Sequence, residues 1–180
     1  MTAQMERPGA ITFKGAPMTL IGQELKVGDT APDFALMTGS LQTLTWNELS
    51  EGGTRAVLMI LVPSIDTSVC SLETSKFNKH VASLPPDKIK VVTVSADTPF
   101  AQKRWADLEK VDNLQMLSDH KDRSFAGAFG VKIKELGLLA RAIYLLDKDR
   151  TVRYIQTVSE VATEPDYDAV MRAARALTSV

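Results

Sequence analysis

Covalent chemistry in this chain would have to come from very few side chains. Cys70 is its single cysteine. No intramolecular disulfide and no thiolate-rich metal site can therefore form, and any disulfide must join the chain to another molecule. A lone cysteine can be a small buried hydrophobe or a nucleophile. The residues before it, Pro63-Ser64-Ile65-Asp66-Thr67-Ser68-Val69, favour the nucleophile. A core cysteine has no use for a proline, an acid, hydroxyls and a helix start in front of it. At a helix start, unpaired backbone N–H groups and a partial positive charge favour thiolate over thiol. Thr67, three residues earlier, can bring its hydroxyl round the same turn to the sulfur. Pro63 would fix the loop and screen the sulfur from bulk water.

The flanking elements must deliver that loop. Ala56 to Val62 is apolar at every position, as expected of a strand buried on both faces, and Pro63 stops it. A helix follows the polar loop, with Val69, Leu72, Phe77, Val81 and Leu84 near one face, and Pro85-Pro86 ends it. Ile89 to Ser95 is a second β-branched strand. Thr98 then caps a helix with Pro99 at its first position, and Phe100, Ala101, Trp105 and Leu108 form its inner face. Ser124 to Gly130 reads as a short helix. Ala142 to Leu146 and Thr151 to Thr157 read as a hairpin turned by Asp147 to Arg150. A last helix opens at Thr163-Glu164-Pro165 and carries Tyr167, Val170, Ala174 and Leu177 on one stripe. At the other end, residues 1–10 read as a loose tail, and Thr12-Phe13-Lys14 with Met18-Thr19-Leu20 as a small hairpin about Gly15. Strands separated by helices imply parallel neighbours with right-handed crossovers. The fold class is α/β: a central mixed sheet flanked by helices, with an N-terminal β-hairpin, as one domain over residues 11–180.

Composition narrows the function further. With 180 residues, the chain is long enough to bury a core without staples. Lys and Arg total 21 against 22 Asp and Glu, which leaves no excess cation for a nucleic acid. No apolar run approaches the roughly 20 residues of a membrane-spanning helix. The first residues lack a secretory signal, which points to a cytoplasmic protein. His80 and His120 are far apart without neighbouring ligands and read as structural or surface residues. Trp105 and Met59 read as core, and Asp66 as a solvated residue beside the helix start. Phe125 to Gly130 holds two glycines but no phosphate-loop pattern. Neither a metal nor an organic cofactor is called for.

The stretch Pro63-Ser64-Ile65-Asp66-Thr67-Ser68-Val69-Cys70 resembles the active-site loop of peroxiredoxins, more narrowly that of the bacterial thiol peroxidase subfamily, atypical two-cysteine peroxiredoxins. Gly28-Asp29-Thr30-Ala31-Pro32-Asp33-Phe34 is similar to the peroxiredoxin entry motif. Leu72-Glu73-Thr74 with Phe77-Asn78, Ser95-Ala96-Asp97 with Pro99-Phe100-Ala101-Gln102, Ala140-Arg141-Ala142, and Thr163-Glu164-Pro165-Asp166-Tyr167 follow the subfamily pattern in order. The resemblance runs from about Thr12 to Leu177. It implies a thioredoxin-like fold and a peroxidase of hydrogen peroxide and organic hydroperoxides. Cys70 would be the peroxidatic cysteine, and Thr67 would donate or relay a hydrogen bond. Arg141 would stabilise the thiolate and the charge on the leaving oxygen. A homodimer is implied too.

One departure matters. The subfamily's second, resolving cysteine falls at Ala106 by register. The following Asp107-Leu108-Glu109-Lys110 also departs from the usual small, Gly-containing stretch, which speaks for divergence rather than one exchanged residue. A sulfenic acid on Cys70 must then be captured from outside the chain or be over-oxidised. An external thiol (thioredoxin, glutaredoxin or a small thiol) is the expected reductant. The alternative is a peroxide sensor or redox-regulated binding protein with little turnover. A disulfide reductase is disfavoured, since Thr67 occupies the first position of the required Cys-x-x-Cys.

Overall fold

The computed structural model describes residues 4–179. In chain order the strands and helices are β1 (Glu6–Phe13), β2 (Ala16–Ile21), β3 (Ala35–Met37), β4 (Thr43–Thr45), α1 (Trp46–Leu49), β5 (Ala56–Leu61), α2 (Ser68–His80), β6 (Ile89–Ser95), α3 (Pro99–Glu109), β7 (Gln115–Ser118), α4 (Ser124–Ala128), β8 (Lys132–Ile133), β9 (Ala142–Leu146), β10 (Val152–Thr157) and α5 (Tyr167–Thr178). The main sheet has the order β10-β9-β5-β6-β7-β3-β4, and a smaller sheet has the order β1-β2-β8.

The expected mixed α/β architecture is borne out. The apolar segment 56–61 is an interior strand of the main sheet, every residue of it buried. It runs parallel to β6, with Ala56 opposite Ile89 and Leu61 opposite Val94, and antiparallel to β9, with Leu61 opposite Ala142. The helical crossovers make β5, β6 and β7 parallel. Alternate residues of β5 serve two cores. Val57, Met59 and Leu61 pack with Phe125 and Phe129, whereas Leu58 and Ile60 pack with Phe77, Trp105 and Val170.

Three expectations are corrected. The loose tail fails from Glu6 onward: residues 6–10 belong to β1, held by pairing with β2 and by core burial of Ile11 and Leu20. Its first three residues lie outside the described residues. β7, a four-residue strand, is too short to announce itself, and β3 and β4 are shorter still. The last helix begins at Tyr167, where Asp166 accepts the Ala169 N–H at 2.9 Å, rather than at Thr163. Finally, α2 and α3 leave some of their expected inner-face residues outside. Leu72, Phe100 and Leu108 are 47%, 67% and 74% exposed. The buried faces are Cys70, Glu73, Thr74 and Phe77 on α2, and Pro99, Gln102 and Trp105 on α3. Polar partners inside the protein cause this reversal. Gln102 Nε2, for one, spans β6 and β7 by donating to Ser95 Oγ (2.9 Å) and to the Leu117 carbonyl (2.8 Å).

Candidate active site

The thiol stands where β5 hands over to α2. Pro63 is buried at the end of the strand. Beyond it the Ser64 carbonyl accepts both the Thr67 N–H and the Thr67 hydroxyl, each at 3.1 Å. Thr67 is the N-cap of α2, in extended conformation, and its Oγ1 accepts the Cys70 N–H at 3.2 Å. Its hydroxyl proton goes to Ser64 and one lone pair to the Cys70 amide. The Thr67 hydroxyl therefore fixes the turn carrying the sulfur and does not meet the sulfur itself. That corrects the expected contact. Spacing brings the two residues onto one turn, but the cap geometry aims the oxygen at backbone. Thr67 is an exposed residue, and a hydroxyl oxygen carries a second lone pair besides the one the Cys70 amide uses.

The sulfur has a charged neighbour. Cys70 is wholly buried and Arg141 is 2% exposed. Arg141 Nη2 donates to Cys70 Sγ at 3.3 Å, Nη1 to Glu73 Oε2, and Nε to the Val161 carbonyl at 3.0 Å. The three contacts use three different nitrogens of a planar fork, which fixes its orientation, a task lysine cannot perform. Arg141 immediately precedes β9, and β9 pairs with β5, so the sheet register brings the arginine to the cysteine. Burial pulls the guanidinium down, but the negative charge of Glu73 and Cys70 outweighs it and holds Arg141 above its usual range. Glu73 feels the opposite balance: burial pushes its carboxyl up to about 7 against the pull of Arg141. Its other oxygen, Oε1, is buried without a hydrogen-bond partner.

A second polar group holds the loop. Ser64 Oγ (2.7 Å), the Ile65 N–H (2.8 Å) and Ser95 Oγ (2.6 Å) all donate to the Asp97 carboxylate. Ser118 Oγ donates to the Asp97 carbonyl. Asp97 thereby ties the ends of β5, β6 and β7 together at the carboxyl edge of the parallel strands, where open α/β sheets place their sites.

Thr67 and Arg141, the second expected only through the family resemblance, both hydrogen-bond to Cys70, and Pro63 is buried in the loop that leads to it. Ala106 lies half-buried on α3 and packs against the cluster that contains Cys70. α3 is fastened to α2 by the Trp105 indole N–H, which donates to Ser71 Oγ at 3.0 Å. Asp66 is exposed, 3.5 Å from an equally exposed Arg104, a pair worth little in water. His80 stacks on Tyr167, and His120 Nδ1 lies 3.1 Å from Ser118 Oγ. Among the described residues no group of three or more His, Cys, Asp or Glu is arranged to hold a metal, and no helix is long and apolar enough to cross a membrane. Sequence reasoning missed Glu73 and Asp97 as functional residues. Glu73 carried a signal: it falls one turn after Cys70 on the side that also presents Phe77, where a carboxylate needs a buried cation.

A buried thiol at a helix start, gripped by a buried arginine at the edge of a mixed sheet, is the arrangement of a peroxiredoxin. The AhpC/TSA family model matches residues 27–155, and the chain belongs to that family. Two relatives sharpen the placement. The thiol peroxidase of Bacillus subtilis is 47% identical over 167 residues, covering 93% of this chain and 97% of that protein. The thiol peroxidase of Halalkalibacterium halodurans is 48% identical over 167 residues, covering 93% and 98%. Among solved structures, a peroxiredoxin-like protein from Aquifex aeolicus superposes with a TM-score of 0.85 at 38% identity, covering 97% and 98% of the two chains.

Proposed function

We propose that the chain is a thiol peroxidase in which Cys70 alone carries the redox chemistry. The observation that carries this reading is the 3.3 Å contact from Arg141 Nη2 to Cys70 Sγ, made between two buried side chains. A buried guanidinium held against the sulfur is placed to stabilise the oxyanion that develops on the leaving oxygen as the O–O bond breaks. Thiolate attacks the distal oxygen of ROOH. The S–O bond forms as the O–O bond breaks, and the leaving alkoxide takes a proton as ROH. Cys70 is left as sulfenic acid, two electrons more oxidised. The open lone pair of Thr67 accepts the peroxide O–H, aligning the peroxide with the sulfur. Pro63 closes the loop from behind. Val62 and Ile65, packed in the same cluster as Cys70, suit the alkyl part of an organic hydroperoxide.

With Ala106 in the resolving position, no second thiol exists in the chain. Reduction takes two equivalents of an external thiol. The first displaces water from the sulfenic acid to give a mixed disulfide. The second releases the thiol of Cys70 and leaves the donor as a disulfide. Thioredoxin, glutaredoxin or a small thiol fits this role, in a cytoplasmic homodimer.

Mass spectrometry after one turnover tests the reading. Reduced protein given one equivalent of organic hydroperoxide should gain one oxygen on Cys70 within milliseconds, and one of thioredoxin, glutaredoxin or glutathione should restore the thiol. Oxidation no faster than that of free cysteine would sink it.

A further inference from the structure

The turn between β10 and α5 supplies the Val161 carbonyl that accepts Arg141 Nε at 3.0 Å. That carbonyl orients the guanidinium from the side away from Glu73. The turn is held by the N-terminal hairpin. Val161 N–H donates to the Thr12 carbonyl at 2.8 Å, and Thr12 N–H to the Ser159 carbonyl at 2.7 Å. The Glu160 carboxylate, next to Val161, collects four donors. Its Oε1 accepts the Lys14 and Ala162 amides at 2.9 and 3.0 Å, and its Oε2 accepts the Thr12 hydroxyl and the Gly15 amide at 2.8 and 3.1 Å. Lys14 and Gly15 both have positive φ, 49° and 80°. This tight hairpin turn points two successive amides at one carboxylate, and glycine tolerates the second position without strain. The donors hold the Glu160 carboxyl down to about 2, so it is ionised throughout the working range.

We propose that Glu160 is a positioning residue for the peroxidase site. It clamps the hairpin turn to the 159–162 turn and, through the Val161 carbonyl, sets the orientation in which Arg141 meets Cys70. The inference rests on Cys70 reacting with peroxide as argued above, and it assigns the N-terminal hairpin a part in that chemistry. The reason is geometric: a guanidinium displaced by about 1 Å from Sγ loses alignment with both the sulfur and the leaving oxygen.

The test is a double-mutant cycle. The rate constant for oxidation of Cys70 by cumene hydroperoxide is measured by quenched flow for the wild type, Glu160→Ala, Arg141→Lys and the double variant. Glu160→Ala should be about tenfold slower than the wild type. In the Arg141→Lys background the same change should alter the rate less than about twofold, because the fork it orients is gone. Should Glu160→Ala not fold, Glu160→Gln keeps an acceptor for Lys14 and Ala162 and should show a smaller loss with the same dependence on Arg141. A Glu160 variant as fast as the wild type would overturn this inference alone. So would an equal loss in both backgrounds, which is the mark of a general structural role. A wild type no faster than free cysteine would overturn it together with the peroxidase reading.

Discussion

Helices α2 and α5 lie against the same core of the central sheet, and the Phe77 and Tyr167 rings meet between them at 4.9 Å. Their buried faces differ in kind. α5 turns in Val170, Met171 and Ala174, with Thr178 closing the stripe by donating its hydroxyl to the Ala174 carbonyl at 3.0 Å. α2 turns in Cys70, Glu73, Thr74 and Phe77 and leaves Leu72 outside. On α5, burial of apolar surface stabilises the fold. On α2, a buried carboxylate with one unpartnered oxygen opposes folding and is tolerable only because Arg141 answers it. α2 gives up part of its apolar face to a charged group beside the thiol, and in the function proposed above that group serves the chemistry, whereas α5 holds the sheet.

Matched substitutions on the two faces should separate these roles. Arg141→Lys keeps the charge but loses the fork, and the oxidation of Cys70 by peroxide should slow by about a hundredfold, the cost of removing one preorganised oxyanion donor. A rate within a few-fold of the wild type would mean that the contact seen at the sulfur does not act in the reaction. On the other face, Val170→Ala should lower stability to urea by about 2 kcal/mol while each folded molecule reacts at the wild-type rate. If that change slowed the chemistry as well, the division between the helices would fail.

The same contrast explains what could be read from residue order. α5 follows an amphipathic rule, and Val170 and Ala174 fall where the period places them. Strand β5 and the Thr98 cap with Pro99 are equally legible, since each depends on neighbouring residues. The inward faces of α2 and α3 are not legible from periodicity, because Glu73 and Gln102 are buried by partners distant in sequence, Arg141 and Leu117. Cys70, Thr67 and Pro63 are visible as local grammar around a helix start. Arg141 is legible only through the family resemblance. By itself it is an arginine at a strand end, and only the register of β9 on β5 delivers it to the thiol. Asp97 and the Val161 carbonyl are tertiary in the same sense.

Glu73 adds a signature in pH. Its folded-state carboxyl lies near 7, above the ordinary value near 4.5, because burial opposes its charge. Between those values the unfolded chain has released the proton and the folded chain keeps it. Stability from this group is thus complete below about 4.5 and is lost as pH rises through about 7. Urea midpoints measured across that window should fall with pH in the wild type. Glu73→Gln, which mimics the protonated carboxyl, should flatten that segment. A slope unchanged by the substitution would assign the titration elsewhere and remove the contrast with α5.

The smallest expected effect tests how far the start of α2 is structural and how far chemical. Thr67→Val keeps the shape and loses both the hydrogen bond to the Cys70 amide and the one to the Ser64 carbonyl. Loss of a helix cap costs about 1 kcal/mol, and stability should fall by that amount. A purely structural cap would leave the rate of folded molecules where it was. The open lone pair predicts an additional loss of about tenfold in the peroxide reaction, with alkylation of Cys70 by a neutral reagent changed far less, because an alkylating agent offers that oxygen no O–H to align. Thr67→Ser should restore both quantities. If peroxide and alkylating agent slow equally in Thr67→Val, the threonine acts only through the turn that carries the sulfur. Alignment of the peroxide would then fall to Arg141 and the backbone.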